Sequence, residues 1–225
     1  MSARNRQRPA HDAAQQELTE LLAQIRACRR CIDQPEGAPL PHEPRPVLRA
    51  QRSARIAIAG QAPGTRVHSS GVPFTDPSGD RLRAWMGIGE AEFYDETRVA
   101  IVPMGFCFPG LDAAGSDLPP RRECARAWRS QVFANLPALE LILLVGGYAT
   151  GWHLPEAARR PVGETVSRWR EIYEADKNGP AFFPLPHPSW RNSGWLKRNP
   201  WFEAEALPIL RAHVAVLLTS PSGAI

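Results

Sequence analysis

The sequence predicts an α/β protein, a three-layer α/β/α sandwich around a central, mainly parallel four-stranded sheet. Three observations carry that expectation. Short apolar, β-branched runs such as "ARIAIAG" have the length and composition of buried strands. Segments of helical period alternate with them along the chain, as in βα units. The runs also stop abruptly in turns, "GQAPG" at Gly60–Gly64 and "HPS" at His187–Ser189. In open α/β sheets the carboxyl ends of the strands share one edge, where ligands settle.

Residues 1–12 are polar and are expected to be a flexible N-terminus, followed by a single domain over 13–220. Leu18, Leu21, Leu22 and Ile25 recur at helical spacing, predicting an amphipathic helix from His11 that ends at a cysteine pair at Cys31. "DQPEGAPLPHEPRPV" is too rich in proline for regular structure and reads as a connector. After the first strand, "DPSGDRLRAWMGI" opens a helix with Asp76 as N-cap and Pro77 at the first helical position. "TRVAIVPMGF" is the second strand and "PRRECARAWRSQVFANL" a helix. "LELILLVGGYATGWHL" runs from a third strand through Gly146-Gly147 into another helix. "PAFFPLPHPS" is a short fourth strand leading into the histidine loop, and "WFEAEALPILRAHVAVLL" closes the chain as a helix.

With 225 residues the chain suits one large domain with a substantial core. Its formal charge of +4 fits a polyanionic partner without identifying one. No apolar run reaches membrane-spanning length, and the N-terminus lacks the apolar core of a secretory signal, so no membrane partner and a cytoplasmic location are expected. Structural disulfides are rare there, which makes four cysteines informative. Cys28 and Cys31 form a CxxC, and sixteen residues separate Cys107 from Cys124. Such a set suits a tetrathiolate zinc site or an iron–sulfur cluster, and the spacing does not choose between them.

Taken in order, these segments resemble the uracil-DNA glycosylase superfamily, closest to its iron–sulfur-containing family 4 branch. The likeness runs from about Leu18 to Leu217 through "CRRC", "GQAPG", "GVPFTDPSG", "CFPGLDAAGSDLPPRREC", "LILLVGG", "HPSW" and "KRNPWF". It implies a glycosylase-like fold and a monofunctional enzyme of base excision repair that hydrolyses the N-glycosidic bond of uracil or a related deaminated base in DNA. It also implies a 4Fe-4S cluster, in preference to zinc, held by Cys28, Cys31, Cys107 and Cys124. No obligatory protein partner is implied, and the location would be nucleoid-associated.

By the same resemblance, His187 donates to a base carbonyl oxygen, held still by Pro186 and Pro188, while Gln61 and Ala62 hold the base or the attacking water. Phe74 stacks on the extruded ring. Gly60, Gly64, Asp76 and Ser189 complete the substrate pocket, and Trp190, Arg191, Asn192 and Arg198 face DNA, Trp190 as a wedge for the vacated stack.

Two positions depart from relatives. Ala62 stands where other branches carry a water-activating Asp or Asn, leaving Asp76 and Asp80 as the nearby carboxylates. Pro103 occupies the place of an asparagine that reads uracil. A pocket without that reader is expected to have relaxed or altered base choice, with hypoxanthine, xanthine or 5-modified uracils as further substrates. The alternative is a non-catalytic protein that binds damaged nucleic acid around a structural metal cluster.

Overall fold

The computed structural model describes residues 4–175 and 178–219. Four strands, β1 (Ile56–Ala59), β2 (Val99–Ile101), β3 (Leu141–Val145) and β4 (Ala181–Leu185), form one sheet in the order β2-β1-β3-β4. Every pairing is parallel. The expected sheet is therefore present and wholly parallel. Pro184 lies within β4, a position open to proline because β4 is an edge strand with one side unpaired.

Alternation along the strands divides the core in two. Ile56, Ile58, Val99, Ile101, Leu143 and Phe183 pack with Leu82, Trp85, Phe202 and Leu210 on one face. Ala57, Ala59, Ala100, Ile142 and Leu144 pack with Leu18, Leu22, Ile25 and Val132 on the other. Successive strand residues point to opposite faces, so a sheet covered on both sides needs apolar residues at every position. The strands β1, β2 and β3 meet that condition with unbroken burial.

The helix Pro77–Met86 begins as expected, with the Asp76 side chain accepting the Gly79 N–H, and ends at Gly87 in the left-handed conformation. Three helical runs differ from expectation. The first helix spans Arg4–Arg26, already helical within residues 1–12, and stops short of the cysteines. The chain then breaks at Cys28, whose N–H turns back to the Ile25 carbonyl, and Cys31 lies on a separate short turn, Arg30–Asp33. The helix carrying Cys124 is interrupted by a π-turn run, Ala125–Arg129. A second one, Phe202–Ala206, precedes the helix Leu207–Thr219, where the wider turn relieves the clash of Pro208 with the preceding carbonyls.

Arg129 is wholly buried. It donates to the carbonyls of Val102 and Pro103, both at 2.7 Å, and to His153 Nε2 at 2.8 Å. Burial, reinforced by the adjacent guanidinium, pushes the His153 imidazole down to about 3, against an ordinary 6.5. The unfolded chain binds a proton in that window and the fold does not, so stability falls as pH drops below about 6.5. One such group contributes at most about 1.4 kcal/mol per pH unit. Urea unfolding at pH 7 and pH 5 is expected to show a smaller acid loss for His153→Gln than for wild type. Equal losses would place the sensitivity elsewhere.

Candidate functional site

The loops after all four strands meet at the carboxyl edge of the sheet. The turn after β1, Gly60–Gly64, is laced to the segment after β2 by the Met104 N–H to Gly60 carbonyl and Gly105 N–H to Gln61 carbonyl bonds, 2.9 and 3.0 Å. A narrow slot of about 80 Å³ opens there, lined by Gly60, Gln61, Ala62, Phe74, Pro103 and His187, together with Gly64, Asp76 and Asp117. Segments far apart in sequence thus share one hollow, as the strand-end reading required. Among the described residues, no acceptor takes the backbone N–H of Gln61 or Ala62.

His187 is held in one state. The Ser189 N–H donates to its Nδ1 at 3.2 Å, which leaves the ring proton on Nε2. Burial pushes its pKa down, against the pull of Asp76 and Asp117, so the ring is neutral and Nε2 is a donor. The Asn192 side-chain amide donates to the His187 carbonyl at 2.7 Å, and Arg81 donates to the Ser189 carbonyl at 3.0 Å. Asn192, expected at the DNA face, therefore also ties down the loop. Arg81 went unanticipated because only the fold brings it beside residues more than a hundred positions away.

Phe74 adopts a left-handed φ of 57°, rare for a bulky side chain and found where surroundings impose it. Its ring packs edge-on against Phe93 and stands over Gly60, and the Tyr94 hydroxyl donates to the Pro73 and Phe74 carbonyls. The Phe74 carbonyl comes so close to Gly79 that a Cβ there would sit 1.9 Å from it. Asp76 lies at the slot, but its Oδ1 accepts both the Gly79 N–H and the Ser78 hydroxyl. Asp80 is exposed, pairs with Arg83 at 2.6 Å and does not line the slot.

Outside the slot is a larger cavity of about 770 Å³, lined by Arg66, Ser189, Trp190, Arg191 and Asn192 and sharing Gln61, Asp117 and His187 with the inner one. Trp190 projects from its rim, 77% exposed, with the Arg191 guanidinium over its ring. Trp195 is the one that pins the loop, packed on Trp201 and Phe202 and so close to Gly163 that a Cβ there would meet its Nε1 at 2.5 Å. Arg198, at the end of the helix Ser193–Arg198, lines neither cavity. On the far side of His187, Gly146, Gly147, Tyr148 and Arg160 border a third cavity of about 440 Å³.

All four cysteines line one apolar hollow walled by Ile25, Pro44, Pro46, Phe106 and Trp128. One backbone amide points at sulfur, Phe106 N–H at Cys124 Sγ (3.4 Å). Burial raises the thiols of Cys31 to about 11 and of Cys107 and Cys124 to about 12, the opposite of an activated nucleophile. Among the described residues, no three His, Cys, Asp or Glu side chains stand close enough to grip a single metal ion.

Residues 48–211 match the sequence model of the uracil DNA glycosylase superfamily. The chain is also similar to the solution NMR structure of a provisionally assigned uracil DNA glycosylase from Methanosarcina acetivorans, at 15% identity and a TM-score of 0.47, over 75% of this chain and 98% of that one.

The close approach at Gly79 makes a stability prediction. Gly79→Ala is expected to cost about 1–3 kcal/mol in urea unfolding, as overpacking does, whereas Gly37→Ala, with nothing within 4 Å, leaves stability unchanged. Equal stability of the two variants would refute the contact.

Proposed function

The chain belongs to the uracil DNA glycosylase superfamily, and from that premise we propose that it is a monofunctional DNA glycosylase that hydrolyses the N-glycosidic bond of uracil or a related deaminated base. The observation that carries this reading is one slot containing a neutral His187 with a free Nε2–H, an aromatic face at Phe74 and two free backbone amides. A base swung out of the stack enters such a slot edge-on. Breaking the bond leaves negative charge on the base, and a fixed donor that costs no reorganisation stabilises it. His187 donates from Nε2 to the base carbonyl oxygen, while the Gln61 and Ala62 amides hold the base or the attacking water.

Pro103 presents neither a side-chain donor nor an N–H to the slot, so base choice rests on shape and on the remaining donors. We read this as relaxed or altered specificity, tested by single-turnover excision from oligonucleotides carrying uracil, hypoxanthine, xanthine or a 5-modified uracil. A uracil preference of several thousand-fold would overturn it. His187→Ala is expected to lower the excision rate about 10²–10³-fold. Binding to the same DNA without excision in the wild type would favour the non-catalytic alternative, for which the missing motif carboxylate speaks.

Trp190 and Arg191 face the duplex in this reading, the indole filling the gap left by the flipped nucleotide. Trp190→Ala should therefore slow excision from double-stranded DNA more than from single-stranded DNA. Equal slowing on both would remove the wedge.

Cys28, Cys31, Cys107 and Cys124 would hold a 4Fe-4S cluster. The shared apolar hollow and the Phe106 N–H directed at sulfur fit thiolates bound to an inorganic core. The cluster would act as a clip joining the N-terminal helix to the loop after β2, and no step of the reaction runs through it. Anaerobically purified protein is expected to be brown with about four iron atoms per chain. A colourless protein carrying one zinc would overturn the assignment.

A further inference from the structure

Asp117 lies in the segment "CFPGLDAAGSDLPPRREC" but was given no role there, yet it lines both the inner slot and the outer cavity. The residues common to the two, among them Gln61, Ala62, Asp76, Asp117 and His187, form the neck between them. A nucleotide with its base in the slot and its phosphates in the outer cavity has its glycosidic bond at that neck. Ala62 brings no carboxylate there, and Asp76 spends its Oδ1 on the helix cap, accepting the Gly79 N–H and the Ser78 hydroxyl. The Asp117 carboxylate has no hydrogen-bond or ion-pair partner among the described residues.

The loop that presents Asp117 is firmly built. Its bases are Cys107 and Cys124, and between them Leu111 bridges Asp117 in antiparallel fashion. The Leu118 N–H bonds the Gly110 carbonyl at 2.9 Å, and the Asp112 side chain accepts from Ala114 and Ser116 N–H. Asp117 Oδ2 also lies close over the β1 turn, 3.4 Å from where a Gly64 Cβ would be. An unpartnered carboxylate held at a neck of this kind is free to meet a bound nucleotide.

Building on the glycosylase reading above, we propose that Asp117 is the catalytic carboxylate, opposing the positive charge that grows on the sugar and accepting the proton of the attacking water. The water oxygen forms a bond to C1′ as the C1′–N bond breaks, and that electron pair leaves with the base. The His187 Nε2–H stabilises the base anion, the water proton passes to the Asp117 carboxylate, and this proton then leaves to the departing base or solvent. The products are a free base and an abasic sugar bearing a hydroxyl at C1′.

Asp117 is exposed at the neck, so its side chain can be changed without opening the core. Partial burial raises its carboxyl above the ordinary 3.8, opposed by Arg191 and His187 and aided by Asp76; Arg66 lines the same cavity. The carboxylate must be ionised to act. The wild-type rate is therefore expected to fall on acidification along a limb above pH 3.8.

The test is single-turnover excision from the base panel by wild type, Asp117→Asn and Asp117→Ser, with affinity measured on a non-cleavable 2′-fluoro-uracil oligonucleotide and folding checked by thermal denaturation. The inference expects both variants to fold and bind like wild type, to excise about 10²–10⁴-fold more slowly, the range of lost general-base catalysis, and to lose the acid limb. An Asn variant within about fivefold of wild type, or one whose rate loss matches an affinity loss, overturns the role of Asp117 and leaves the glycosylase reading standing. A wild type that excises none of the bases overturns both.

Discussion

The site depends on the parallel pairing of the sheet. With all four strands running the same way, their carboxyl ends must lie along one edge, and each ending contributes a wall. The turn after β1 supplies Gln61 and Ala62, the segment after β2 supplies Pro103, the Gly146–Tyr148 turn follows β3 and His187 follows β4. An antiparallel β1 or β4 would send its turn to the opposite edge. The backbone bonds from Met104 and Gly105 to Gly60 and Gln61 then lock the β1 turn to the β2 exit. The slot is in this sense an extension of the sheet ladder beyond its last regular residue.

Buried Arg129 ties the cysteine hollow to the slot. It sits one π-turn run after Cys124 and reaches the carbonyls of Val102 and Pro103, the residues that carry β2 into the pocket wall. A buried guanidinium must satisfy its donors, and here two carbonyls and the neutral His153 do so, although its Nε has no partner among the described residues. Burial brings the group down to about 9, so it remains charged at neutral pH. Removing it would strand two carbonyls as well as open space. The Arg129 side chain therefore connects the cysteine helix directly to the wall of the slot.

The parts legible in the sequence were those with local causes. Strands β1 to β4 announced themselves by short apolar composition, and the helix Pro77–Met86 by its Asp cap, N1 proline and terminal glycine. The first helix was misjudged at both ends, because apolar periodicity marks the buried stripe and says nothing of a polar extension at Arg4 or of a chain reversal at Cys28. Trp190 and Trp195 were indistinguishable on paper; only the contact of Trp195 with Gly163, some thirty positions earlier, separates the pin from the exposed ring. Arg81, Tyr94 and Arg129 carried no sequence signal, since each owes its role to partners that the fold alone brings near, and Asp117 stands out only through the two cavities it borders.

The missing motif carboxylate then becomes intelligible as electrostatics. Hydrolysis of an N-glycosidic bond creates opposite charges at its two ends, so a useful site is polarised along the bond. At an effective dielectric of about 20, a unit charge 4 Å from one end is worth about 4 kcal/mol, favourable beside the sugar and unfavourable beside the base. A carboxylate deep in the slot would oppose the departing base, and the wall there holds Pro103 and Phe74, which carry no charge. On the proposed reading, the donor His187 would face the base, and the Asp117 carboxylate at the neck would face the sugar. On that reading, placing the anion on the Cys107–Cys124 loop instead of the strand-end motif would preserve that polarity, and the loop between these two cysteines would deliver it.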